Sequence, residues 1–189
     1  PANLVGASLG GMTSLLLVGD GELSNLCKTL TMVDIGVYPN EEGSEKILDF
    51  MSSAKKGFSS LEEAAEHISK FLPHREKPKD LSGLHKNLRK RKDNRFYWHW
   101  DPKFIKDRQR RKNTDYFRPL EVAAKNVEKP TLLIRGALSD VLTEEDKNFF
   151  LNIVKHAEFE EIKDAAHMVA GDKNNAFQAT IYSFLQKHN

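Results

Sequence analysis

The sequence predicts an α/β fold: a mostly parallel sheet, helices on both of its faces, and a helical insertion. Three observations predict it. Short apolar runs alternate with helix-like stretches at both ends of the chain. The middle, residues 44–118, changes to charged, amphipathic helices and one dense aromatic stretch. Three strand-like runs are each followed by a loop with a reactive side chain, as expected where parallel strands end on one edge.

Length and composition bound the possibilities. The 189 residues suffice for one domain, or one domain with an inserted lobe. Apolar content of 39% and charged content of 30% describe a globular, rather polar chain. A net charge of +2 is too small to argue for a partner from global electrostatics. A single cysteine, Cys27, excludes an internal disulfide framework and fits a reducing compartment, so a cytoplasmic setting is expected. No run approaches the ~20 apolar residues that span a bilayer, and no membrane partner is expected. No signal peptide precedes the first strand. Pro1 is not an initiator methionine, and the chain opens almost inside a strand, so an N-terminal part is expected to be missing.

The elements follow in order. Asn3-Leu4-Val5 is a short apolar strand, and Leu9 to about Val18 is a helix, apolar all round and expected to be largely buried. Gly19-Asp20-Gly21 ends it. Leu30 to Gly36 reads as a buried strand. Ser44 to Lys55 carries Ile47, Leu48 and Met51 on one helix face. Ser60-Leu61-Glu62-Glu63 is a capping box opening a helix over about Leu61–Leu72, which Pro73 stops. Ser82–Arg91 reads as a more basic helix, and Phe117–Val127 as another. Thr131–Gly136 is a compact β-branched run, as expected of a parallel strand buried on both faces. Thr143-Glu144-Glu145-Asp146 opens a helix, Ala157–Lys163 alternates as a strand, and Asn174–Lys187 is the closing helix.

The most demanding stretch is Gly6-Ala7-Ser8-Leu9-Gly10. Between a strand and a helix, G-x-S-x-G reads as a nucleophile elbow. Small residues flank the serine so that strand and helix can approach, and the helix N-terminus turns its free N–H groups toward the hydroxyl. A chance loop or a phosphate-binding turn has the same letters. Serine is a poor nucleophile unless a base lies in hydrogen-bond reach and an acid fixes the base's tautomer. Two later loops offer both. Asp140 lies in Gly136-Ala137-Leu138-Ser139-Asp140, past the strand Thr131–Arg135. His167 lies in Asp164-Ala165-Ala166-His167-Met168, past the strand ending near Lys163. The order Ser, Asp, His is that of the α/β-hydrolase fold.

With these residues in view, the chain resembles the C-terminal two-thirds of an α/β-hydrolase of the esterase, lipase, haloperoxidase and epoxide-hydrolase-like branch. The elbow, the Gly-x-x-Ser-Asp loop and the final Ala-His-Met loop carry the resemblance. It implies three segments: hydrolase core over 1–43, a helical cap over 44–118, and core again over 119–189. It further implies that Ser8 is the nucleophile, His167 the general base, Asp140 the acid, and the backbone N–H of Leu9 one oxyanion donor. Asp34, at the end of a strand, is the alternative acid, because some members place it there. The family's second oxyanion donor lies upstream of the elbow, where this chain has nothing, and the first strands of the sheet are absent too. The elbow strand's missing neighbours would leave an open edge. Either the protein is longer and this is its C-terminal part, or the gene product is truncated, in which case poor folding and no activity are expected.

The reaction implied is hydrolysis of a small-molecule carboxylic ester through an acyl-serine, with no metal or organic cofactor. Serine at position 8 argues against epoxide hydrolases and haloalkane dehalogenases, which use aspartate there. Perhydrolase chemistry and carbon–carbon bond hydrolysis would use the same triad. A truncated inactive chain, or a binding module using the basic stretch 74–112, is the reading from another class. Nucleic acid is not the expected partner of that stretch; attraction of an anionic substrate suits it better. Of Phe96-Tyr97-Trp98-His99-Trp100, Trp98 and Trp100 share a face if extended and are candidates, with Met168, to touch substrate. Among the other histidines only His99, set among aromatics, stands out. The sequence does not set the oligomeric state.

Overall fold

In the computed structural model, residues 1–75, 77–106 and 114–188 are described. Contacts divide the chain into two units, Pro1–Ser44 with Arg110–Asn189, and Glu45–Gln109.

The first unit is built on a four-stranded parallel sheet in the order β1-β2-β5-β6, with β1 Ala2–Ala7, β2 Cys27–Val33, β5 Thr131–Gly136 and β6 Glu158–Ile162. The two central strands are buried along almost their whole length, with Leu30, Met32, Val33, Leu132, Leu133 and Ile134 in the core and Thr29, Thr31 and Thr131 buried among them. The register sets Ala7 of β1 opposite Val33 of β2, and Gly136 of β5 opposite Ile162 of β6. All four C-terminal ends therefore lie on one edge, and the loops leaving them share it.

Helix α1, Leu9–Val18, packs on β1 and β2 through Gly11, Leu15 and Val18. It is not buried all round: Leu9 is 56% and Leu16 44% exposed. Leu9 and Leu16 lie on the side of the helix opposite Gly11, Leu15 and Val18, so the buried stripe is one face and not the whole circumference. Helix α6, Glu144–Ile153, starts on a full capping box in which Thr143 Oγ1 accepts from Asp146 N and the Asp146 carboxylate accepts from Thr143. Its Phe150 is fully buried. The closing helix α8, Asn174–Lys187, lays Phe177, Ile181, Phe184 and Leu185 on a core of Val33, Leu132, Ile134 and Ile162. Helix α5, Arg118–Lys125, buries Leu120, Ala123 and Ala124, and approaches α1 so closely that a Cβ on Gly19 would meet the Ala123 backbone. A short helix the sequence did not announce, α7 Val169–Asp172, follows the histidine loop.

The second unit contains most of helix α2, Glu41–Ser52, then helix α3, Leu61–Phe71, a hairpin of β3 Leu88–Lys90 and β4 Phe96–Trp98, and the short α4 Lys103–Lys106. Ser60 caps α3 as its sequence implies, accepting from Glu63 N at 3.2 Å. The basic helix expected over 82–91 is instead a 3₁₀ turn, Ser82–Lys86, followed by β3. Its apolar positions pack into a small core of Phe58, Ala64 and Leu88 with Phe96 and Trp98, and the β4 pairing overrides local helix preference. No helix among the described residues is long and apolar enough to cross a membrane.

Candidate active site

The site is built where β1, β2, β5 and β6 end. The turn from β1 into α1 holds Ser8 at φ 50° and ψ −119°, a backbone conformation that costs energy for any residue with a side chain. The turn is held by Ser8 N donating to Val33 O at 3.1 Å and by Met12 N donating to Ser8 O at 3.1 Å. It closes only because its flanks are small. A Cβ on Gly6 would meet the backbone of Gly10 and Gly11, and one on Gly11 would meet Ile35. The Met12 bond is the first of the helix ladder, so the N–H groups of Leu9, Gly10 and Gly11 precede it at the helix N-terminus that follows Ser8.

His167 reaches this serine from the far strand. Its Nε2 lies 3.1 Å from Ser8 Oγ, and its Nδ1 lies 2.8 Å from Asp34 Oδ2. The loop that carries it is tied down at both ends: Leu138 N donates to Ala165 O at 2.8 Å, and Ala166 N donates to Asp172 Oδ2 of α7 at 2.9 Å. The imidazole is 16% exposed and the Asp34 side chain fully buried.

The carboxylate that the structure sets against His167 is that of Asp34, where the sequence led us to expect Asp140. Asp34 follows β2, the strand hydrogen-bonded to the serine's own strand, and it too has a positive φ of 52°. Its carboxylate accepts from Gly136 N at Oδ1 (2.8 Å), and from Ser139 Oγ and His167 Nδ1 at Oδ2. Asp140 is turned away from His167 for a local reason. The loop after β5 turns at once, with Ser139 N donating to Gly136 O at 2.9 Å, which sends Ser139 inward and the next residue outward. Asp140 is exposed, and its backbone carbonyl packs against Gly43. The loop after β5 reaches Asp34 through Ser139. Asp34 was legible in the sequence as a residue at a strand end, one step past Val33, but so was Asp140 past β5.

The remaining candidates are placed as follows. Met168 follows His167 and is 51% exposed. Trp98 and Trp100 do share a face: their rings stack at 4.5 Å and 15° within the 45–109 unit. There Trp98 packs edge-on against Phe58, and Trp100 Nε1 donates to Met51 O at 3.1 Å. His99 is exposed. His67, His156 and His188 each have local partners, in Ser53, Lys129 and Glu158. Among the described residues no group of three or more His, Cys, Asp or Glu is placed to hold a metal ion.

No known family and no curated protein matches the sequence. Solved structures do. An E-2-(acetamidomethylene)succinate hydrolase superimposes with a TM-score of 0.79 at 17% identity, covering 98% of this chain and 66% of its own. An esterase from Mycobacterium tuberculosis gives 0.72 at 20% identity, covering 98% of this chain and 61% of its own. An alpha/beta hydrolase from Novosphingobium aromaticivorans gives 0.71 at 18%, covering 96% of this chain and 64% of its own. The chain thus spans slightly less than two-thirds of the length of these three structures. At such identities the likeness speaks for the fold. The parallel sheet, the strained serine turn and these superpositions agree, and the chain has the α/β-hydrolase fold.

Proposed function

We propose that the protein is a serine hydrolase that cleaves carboxylic esters through an acyl-serine intermediate. One observation carries this reading: Ser8 Oγ, both nitrogens of His167 and the Asp34 carboxylate form one continuous chain of hydrogen bonds. A buried carboxylate accepts hydrogen bonds, so Nδ1 of His167 bears the proton it gives to Asp34. Nε2 is then left with its lone pair facing the Ser8 hydroxyl. The neighbours described as esterases favour an acyl bond as the one cleaved.

The steps follow from this arrangement. As Ser8 Oγ attacks the ester carbonyl, its proton passes to His167 Nε2, and Asp34 stabilises the resulting imidazolium. Negative charge gathers on the former carbonyl oxygen, and the N–H of Leu9 is the donor assigned to it. The C–O bond to the alcohol breaks as His167 Nε2 returns the proton to the leaving oxygen. Water then attacks the acyl-serine, gives its proton to the same nitrogen, and the acid leaves as Ser8 recovers its hydrogen. Met168 and Leu138, on the loops after β6 and β5, and Leu9, at the start of α1, are exposed apolar side chains next in sequence to or near the site residues and are proposed to receive the substrate's apolar part.

The test is labelling with a fluorophosphonate, which phosphonylates an activated serine with loss of fluoride. The wild-type chain is expected to gain one adduct, mapped to Ser8, and Ser8→Ala to gain none. A folded wild-type chain that takes no label contradicts the reading.

A further inference from the structure

We propose that Ser139 is a positioning residue that acts on His167 through Asp34. The proposal rests on the assignment of Ser8, His167 and Asp34 above. Ser139 lies in the loop after β5 and is 7% exposed. Its hydroxyl oxygen accepts from Val141 N at 3.2 Å and from Leu142 N at 3.4 Å. With two donors facing that oxygen, the one hydroxyl proton is directed to Asp34, and it goes to Oδ2, the same oxygen that accepts from His167 Nδ1. A freely rotating hydroxyl would have a choice; this one has none.

Ser139 therefore does two things to the carboxylate. It fixes the rotation of Asp34, together with Gly136 N–H on Oδ1. It also shares the charge on Oδ2, which tunes how strongly that oxygen holds the imidazole proton. The loop is rigid enough for both. The buried Arg135 guanidinium donates from Nε to Leu142 O at 2.7 Å and from Nη2 to Ser139 O at 3.5 Å, while Nη1 pairs with Glu144 and Glu161. Arg135 closes residues 139–142 into a bracket, and the bracket aims the hydroxyl.

The experiment compares Ser139→Ala, Ser139→Cys and wild type in the full chain. Two readouts are taken: the rate of fluorophosphonate labelling at Ser8, and the downfield proton NMR signal of the hydrogen-bonded His167 Nδ1–H. Ser139→Ala is expected to slow labelling about 10-fold, the scale of one hydrogen bond to a charged group, and to move the His167 proton signal. Ser139→Cys, close in size but a weaker donor, is expected to fall between Ala and wild type in both. If Ser139→Ala does not fold, the Cys variant alone decides by the same two readouts. A purely structural role would lower the melting temperature and leave labelling within about two-fold and the proton signal in place, which overturns the proposal. A wild-type chain that never labels contradicts the hydrolase reading instead, and the proton signal still tests Ser139.

Discussion

His167 Nδ1 and Asp34 Oδ2 stand 2.8 Å apart although 133 positions separate the two residues. The contact joins the end of β2 to the loop after β6 across the intervening β5. It is possible because the β5 loop turns down sharply at Gly136, where a Cβ would meet the carbonyls of Ala165 and Ala166. The histidine loop can then lie over it and reach both the acid and the serine.

The serine turn depends on Gly6 more than on any other small residue. A Cβ there would come within 2.5 Å of the Gly10 carbonyl carbon and 2.6 Å of Gly11 N, both backbone atoms that cannot step aside. Gly6→Ala is expected to cost about 1–3 kcal/mol by overpacking, and to lower the melting temperature by several degrees. It should also abolish labelling at Ser8. Thermal melting and probe labelling of the same sample check both outcomes.

Helix α6 is expected to respond to its cap without affecting the site. Thr143→Ala removes one half of the capping box and should cost about 0.5–2 kcal/mol, a few degrees in melting temperature. Labelling should stay within about two-fold of wild type. Thr143→Ser should restore the stability.

Acid stability should carry a mark of the closing helix. The hydrogen bond from His188, and then that from Lys187, hold the Glu158 carboxyl below its ordinary value. A carboxylate lowered in the fold contributes stability above its unfolded value, and that stability is lost as pH falls through the folded value. The contribution is therefore full above about pH 4.5 and fades below it. Because Glu158 is 37% exposed, solvent screening keeps it small. Glu158→Gln is expected to lower the melting temperature slightly at pH 7 and to show a shallower further loss on acidification. Melting curves from pH 7 to pH 3 read this out.

Much of this architecture is legible in the sequence, and the failures have physical causes. β5, α1 and α8 carry their own punctuation and strong patterns, and their bounds follow from it. β3 does not, because a three-residue strand is defined by its partner rather than by its own residues. Ser8 and His167 were legible because a motif or a strand end marks each. The acid was harder: Asp34 and Asp140 both follow apolar strands, and the choice depends on one tight turn at Gly136 that puts position 139 inward. Ser139 was visible as a letter, but its role requires knowing that Asp34 sits opposite.

The most direct measurement of the central claim compares labelling of Asp34→Asn with that of Asp140→Asn. An asparagine at 34 keeps the shape but removes the charge that fixes the His167 tautomer, and the rate at Ser8 should fall about 10³–10⁴-fold. Asparagine at 140 should leave the rate within a few-fold of wild type. The reverse pattern, a large loss at 140 and little change at 34, would contradict the account.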